Sequence, residues 1–118
     1  MADVTWDRFE NVPPFSPADG ISMHLIGGDQ MMMNLVVLAP GVIVPIHTHP
    51  NEQAGYVVKG VLNMTIAGET RPLSRGDCYL VPGGIEHGAT AGDDGCEVLD
   101  IFSPPRADYV DLARKARG

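Results

Sequence analysis

The chain has 118 residues, 44% of them hydrophobic and 19% charged, with a formal net charge of −7. That composition suits one compact globular domain with a single core, not a disordered chain. The acidic balance argues against nucleic acid and against anionic membranes, both of which recruit basic patches. It leaves a small acidic substrate open, because an acidic protein can still hold a local cationic pocket.

The first ten residues, MADVTWDRFE, show no basic n-region and no apolar h-region, so no signal peptide is expected and the protein is read as cytoplasmic. The most apolar stretch, 31–46, is interrupted by Asn34, Pro40, Gly41 and Pro45 and is too short to span a bilayer. Cys78 and Cys96 form no CxxC pair and are expected to be reduced thiols.

Fourteen glycines and ten prolines punctuate the chain and favour an all-β class. Residues 1–20 read as an extended N-terminal arm with room for one strand, since the prolines of Asn11-Val-Pro-Pro-Phe-Ser-Pro forbid helix. Strands are predicted at 23–26, 31–38, 42–49, 53–58, 61–67, 71–73, 78–81, 86–90 and 96–102. Turns fall between them, with Asp93-Asp94-Gly95 read as a hairpin turn. Pro104-Pro105 opens a short C-terminal helix over about 105–116. Roughly nine or ten short strands point to a sandwich or barrel over about 21–103.

Four histidines remain to be placed. His47 and His49 are two residues apart, so on a strand they share a face. They are either polar residues on a solvated face or half of a metal site. His87 follows the tight turn Pro82-Gly83-Gly84, which can aim it back across the sheet. His24 has no partner pattern and reads as an ordinary strand histidine.

The wider spacing separates these readings. Gly41 is followed by five residues, then His47-Thr-His49, three residues to Gln53 and six to Gly60. Gly76 is followed by five residues, then Pro82-Gly83-Gly84, two residues and His87. This double pattern resembles the two conserved motifs of the cupin superfamily. The resemblance implies a jelly-roll β-barrel enclosing one divalent metal ion, with His47, His49, Gln53 and His87 as ligands. Gln53 stands where the first motif has glutamate, and Ala91 where the second ends in asparagine. The neighbouring acid, Glu52, is the rival ligand, but a one-residue slip puts it on the opposite face unless a bulge intervenes.

A neutral ligand set has a chemical consequence. Three imidazoles and an amide leave a bound metal its full positive charge, making it a stronger Lewis acid and favouring an anionic ligand. Zinc, nickel, manganese, iron and copper are not separated by this argument.

In the tail, Val98, Asp100 and Phe102 share one strand face and Leu99 and Ile101 the other. Alternation alone does not say which face is inside. Tyr56 and Met64 fit either the cavity wall or the general core. The run Asp100-Ile-Phe-Ser-Pro-Pro-Arg106-Ala-Asp-Tyr109, with Pro50-Asn51-Glu52-Gln53 upstream, resembles the KdgF-type small cupins of pectin and alginate breakdown; Asn51 replaces a histidine of their pattern. Those proteins open the ring of 4,5-unsaturated uronates to linear keto-deoxyuronates.

The resemblance implies an isomerase-like sugar-acid enzyme, with Asp100 moving a proton and Arg106 gripping a carboxylate. Phe102 would cover the ring, Gln53 would touch substrate as well as metal, and a homodimer is expected. Two rival functions stay open: a metal-dependent dioxygenase, and a non-catalytic sugar-binding or sensing cupin.

Overall fold

The computed structural model describes residues 3–118. A 3-10 turn at Phe9–Asn11 precedes eight strands: β1 (Phe15–Ala18), β2 (Ile21–Gly27), β3 (Met32–Leu38), β4 (Ile43–His47), β5 (Glu52–Ile66), β6 (Glu69–Ser74), β7 (Cys78–Val81) and β8 (His87–Ser103). One helix, α1 (Ala107–Ala116), follows. All pairings are antiparallel, in the order β1-β2-β3-β8-β5-β6, with β4 added to β8 and β7 to β5. The result is the jelly-roll barrel with a short C-terminal helix that the sequence predicts.

Two long strands make the closure. The first part of β5 pairs with β7 and the end of β8; its second part pairs with β6 and the start of β8. Each therefore serves both layers. The predicted breaks at 59–60 and at the expected hairpin turn Asp93-Asp94-Gly95 are instead bends within continuous strands. Gly60 lies opposite Cys96, and Gly60 and Gly95 both hold φ 76°. A Cβ on Gly60 would run into the Gly95 carbonyl. Turn-forming residues here act as bulges that turn a barrel corner, which is why the count falls to eight strands.

Burial decides the faces. Val57, Val81, Val98 and Met32 are buried, and Phe102 and Asp100 lie on the same inner face as Val98, while Leu99 and Ile101 lean outward. Tyr56, offered above as cavity or core, is neither: it is 46% exposed on the outer face. Met64 is buried. Helix α1 docks over β1 and β2, with Ala113 in the core and Arg117 donating to the Leu25 carbonyl at 2.7 Å.

Candidate metal centre

Three histidines from two parts of the chain converge: the ligand atoms of His47, His49 and His87 all lie within 4.8 Å of one another. His47 ends β4 and His87 begins β8, where the two are cross-strand partners. His49 lies just beyond β4, not on it. It is held by the second motif: Gly84 donates its N–H to the His49 carbonyl at 2.9 Å, and a Cβ on Gly83 would strike the Pro50 carbonyl. Glycine is needed there because two backbones approach closely. Asn51 ties the same loop to the tail, its side-chain amide donating to the Pro104 carbonyl at 2.6 Å.

Each imidazole is oriented from behind. Nδ1 of His47, His49 and His87 meets the carbonyls of Pro45, Asn51 and Ile85 at 2.7, 3.0 and 2.8 Å. A carbonyl only accepts, so Nδ1 carries the proton and Nε2 of the neutral ring presents a lone pair. Burial lowers the pKa of His49, with the Arg106 charge adding to the effect. Burial is also the main cause that lowers His87. Both shifts favour the neutral, ligating form.

Gln53 completes the set. It is 6% exposed, and its Oε1 lies 3.1 Å from Nε2 of both His49 and His87. The other end of the amide hydrogen-bonds toward Tyr79 and Asp100, partly offsetting the rise that burial imposes on the pKa of each. That fixes nitrogen toward the acid and oxygen toward the imidazoles. Lone pairs without protons thus face one another, an arrangement that is repulsive until a cation enters. The donor set fits a divalent metal. Glu52, the rival ligand, is exposed on the opposite face. His24 stands apart on β2, with Nδ1 on the Val12 carbonyl at 2.8 Å.

Asp100 adjoins this cluster. It is 9% exposed and accepts from the Tyr79 hydroxyl at 2.6 Å. Burial raises its pKa to about 6, against the opposing pull of Tyr79, Gln53 and Arg106. Tyr79, which the motifs do not name, reaches Asp100 by lying across Gly55, its cross-strand partner. A Cβ on Gly55 would occupy the space of the Tyr79 phenol. A glycine inside a strand often marks such a close approach, so Gly55 was the available signal. On the other side, Asn34 sits opposite Asp100, fully buried, with neither amide atom partnered by protein.

Arg106 closes one side. Its guanidinium lies 4.0 Å from the Tyr109 ring centroid and 5.6 Å from that of Phe102, with a 2.9 Å ion pair to Asp108. The side chain is only 14% exposed and lines the same cavity as His47, Gln53, His87, Asp100 and Phe102. That cavity measures 410 Å³, within the usual size of small-molecule sites.

Gln53→Glu should tighten divalent-metal binding, because the carboxylate restores a negative charge to the neutral donor set. Metal titration of the two proteins checks this, and an unchanged or weaker affinity would show that Gln53 is not a ligand.

Both thiols are free, Cys78 exposed and Cys96 buried. Among the described residues no helix is long and apolar enough to cross a membrane.

Comparison with known proteins gives a consistent answer. Residues 34–102 match the Cupin domain family. A pectin degradation protein, KdgF of Dickeya dadantii, is 37% identical over 94 residues, covering 78% of this chain and 86% of that protein. The crystal structure of an RmlC-like cupin from Shewanella frigidimarina superposes with TM-score 0.85 at 25% identity, over 91% of this chain and 96% of the other. KdgF from a Halomonas species gives TM-score 0.85 at 29% identity, over 91% of this chain and 99% of the other. The chain belongs to the cupin superfamily, as a small cupin of the KdgF type.

Proposed function

We propose that this protein is a metal-dependent isomerase that opens the ring of an unsaturated uronate or related sugar acid. The observation that carries this reading is the set of groups facing one cavity: His47, His87, Gln53, buried Asp100 and Arg106, with His49 completing the histidine cluster. It is supported by the likeness to the pectin degradation protein.

The reaction is an isomerisation. The C1 hydroxyl loses its proton, the C1–O5 bond breaks to give an aldehyde and an enolate, and C4 of the enolate takes up a proton to leave a ketone at C5. Nothing is oxidised. His47, His49, His87 and Gln53 would hold the metal, which supplies Lewis acidity toward a substrate oxygen. Arg106 would bind the carboxylate as a bidentate cation. Phe102 would cover one face of the ring. Asp100, with a pKa near 6, can exchange a proton with the C1 hydroxyl or C4 at neutral pH.

The test is turnover. Metal-loaded protein added to unsaturated uronate, released by a pectate or alginate lyase, should speed the loss of the C4=C5 ultraviolet absorbance well above the spontaneous rate. An unchanged rate with loaded protein removes this reading and moves oxygen-uptake assays, which test the dioxygenase alternative, to the front.

The expected homodimer has a candidate face. Met33, Ile101, Ala54 and Leu80 form one outward row across β3, β8, β5 and β7, with Leu35, Leu99 and Tyr56 beside it. Leu80 is 59% exposed there, and a contiguous apolar face of this kind favours a partner. Sedimentation should give a dimer for the native chain and a monomer for Leu80→Lys. A native monomer would refute it.

A further inference from the structure

The strand register sorts the cavity into layers about 7 Å apart, two residues per layer. The first carries Gln53 and Phe102 on one sheet and His47 and His87 on the other. The second adds Asp100 and Tyr79 on one sheet, facing Ala89, Met64 and Val44. Beyond them the character changes. The next layers hold Met23, Val36 and Val98, then Ile21, Leu38 and Leu62, all lining the same cavity. Among the described residues, the polar lining side chains are confined to the metal end; past Asp100, Met sulfur, a weak acceptor, is the sole hydrogen-bonding side-chain atom.

A sugar acid uses only part of this space. Hydroxyls pushed past Asp100 would give up water without gaining a partner, which is costly. Apolar atoms placed there gain from burial instead. Arg106 and the metal site, meanwhile, select an anion at the opposite end. One end asks for a carboxylate and the other for hydrocarbon.

We propose that the cavity also binds monocarboxylates whose body is apolar, a hydrocarbon chain or ring, with the carboxylate at Arg106 and the metal site and the body between Val36, Val98, Leu62 and Met64. This goes beyond the sugar-acid reading and shares with it only the anion-binding end.

The experiment is calorimetric binding of straight-chain carboxylates from acetate to octanoate to the metal-loaded full-length protein. Each methylene that enters the apolar layers should tighten binding about fourfold, up to a length at which the chamber is full. Ala89→Leu should shorten that limiting length and Met64→Ala should lengthen it, opposite shifts that misfolding would not produce. Affinity flat with chain length overturns the proposal. So does a rise that the corresponding alcohols share equally and that neither variant alters, because that is nonspecific adsorption. Uronate turnover on the same preparations keeps the two readings apart. Turnover with a flat series leaves the isomerase standing and removes this ligand class. A steep series without turnover does the reverse.

Discussion

Asp100→Asn should lose uronate ring opening by roughly 10²–10⁴-fold in kcat while making the folded protein more stable above pH 6. Both effects come from the same burial. The carboxyl is 9% exposed, and desolvation holds its pKa at about 6 instead of the ordinary 3.8. Below pH 4 the folded and unfolded states both keep the proton. Between these two values the folded state binds more protons than the unfolded one, so stability falls as pH rises. Above pH 6 the cost of burying the charge is complete, on the order of 3 kcal/mol. Asparagine carries no charge to bury. Its carbonyl can still accept from Tyr79, and its amide gains Asn34 as a neighbour across the strand pair. Thermal melts of metal-free wild type and variant should therefore separate by several degrees at pH 8 and converge near pH 4. A variant less stable at pH 8 would mean that the carboxylate is held by attraction and not penalised by burial.

His87→Ala should abolish metal binding in practice, with affinity falling by about a hundredfold or more; losing even an outer partner of a ligand costs roughly 10–100-fold. The imidazole is 2% exposed, is held at Nδ1 by Ile85, and faces Gln53 Oε1 at 3.1 Å. Removing it leaves two histidines and an amide, too few for a closed site in this neutral set. Metal content by elemental analysis, with unfolding curves to confirm the fold, checks the prediction. His24→Ala is the control, because its ring sits on β2 against Val12, away from the cluster. Retention of stoichiometric metal by His87→Ala, or its loss in His24→Ala, would mean that the cluster has been misread.

Much of this site was legible in the sequence because it is written in spacing. Two histidines separated by one residue, and a third after a Pro-Gly-Gly turn, point to three converging imidazoles. Strand spacing is only part of the reason. His49 is not on a strand; the turn at Gly83-Gly84 clasps its loop.

Local signals misled where long-range packing decides. Gly60 and Asp93-Asp94-Gly95 look like chain reversals, yet they are bends in β5 and β8, because each strand has partners on both sides of the corner. Alternation could not choose between the two faces of the last strand; the pairing of β8 between β3 and β5 did so and turned Asp100 inward. Tyr79 was missed altogether. Its role depends on a glycine two strand-turns earlier in the chain, a relation that no motif records.

Turnover is expected to belong to a metal held by His47, His49, His87 and Gln53. The most direct measurement follows loss of the C4=C5 absorbance while chelator-stripped protein is titrated with one divalent metal at a time. The expected result is no acceleration in stripped protein and a rate that rises linearly with bound metal to a break at one ion per chain. A stripped protein that still accelerates ring opening, or a rate indifferent to occupancy, would contradict it.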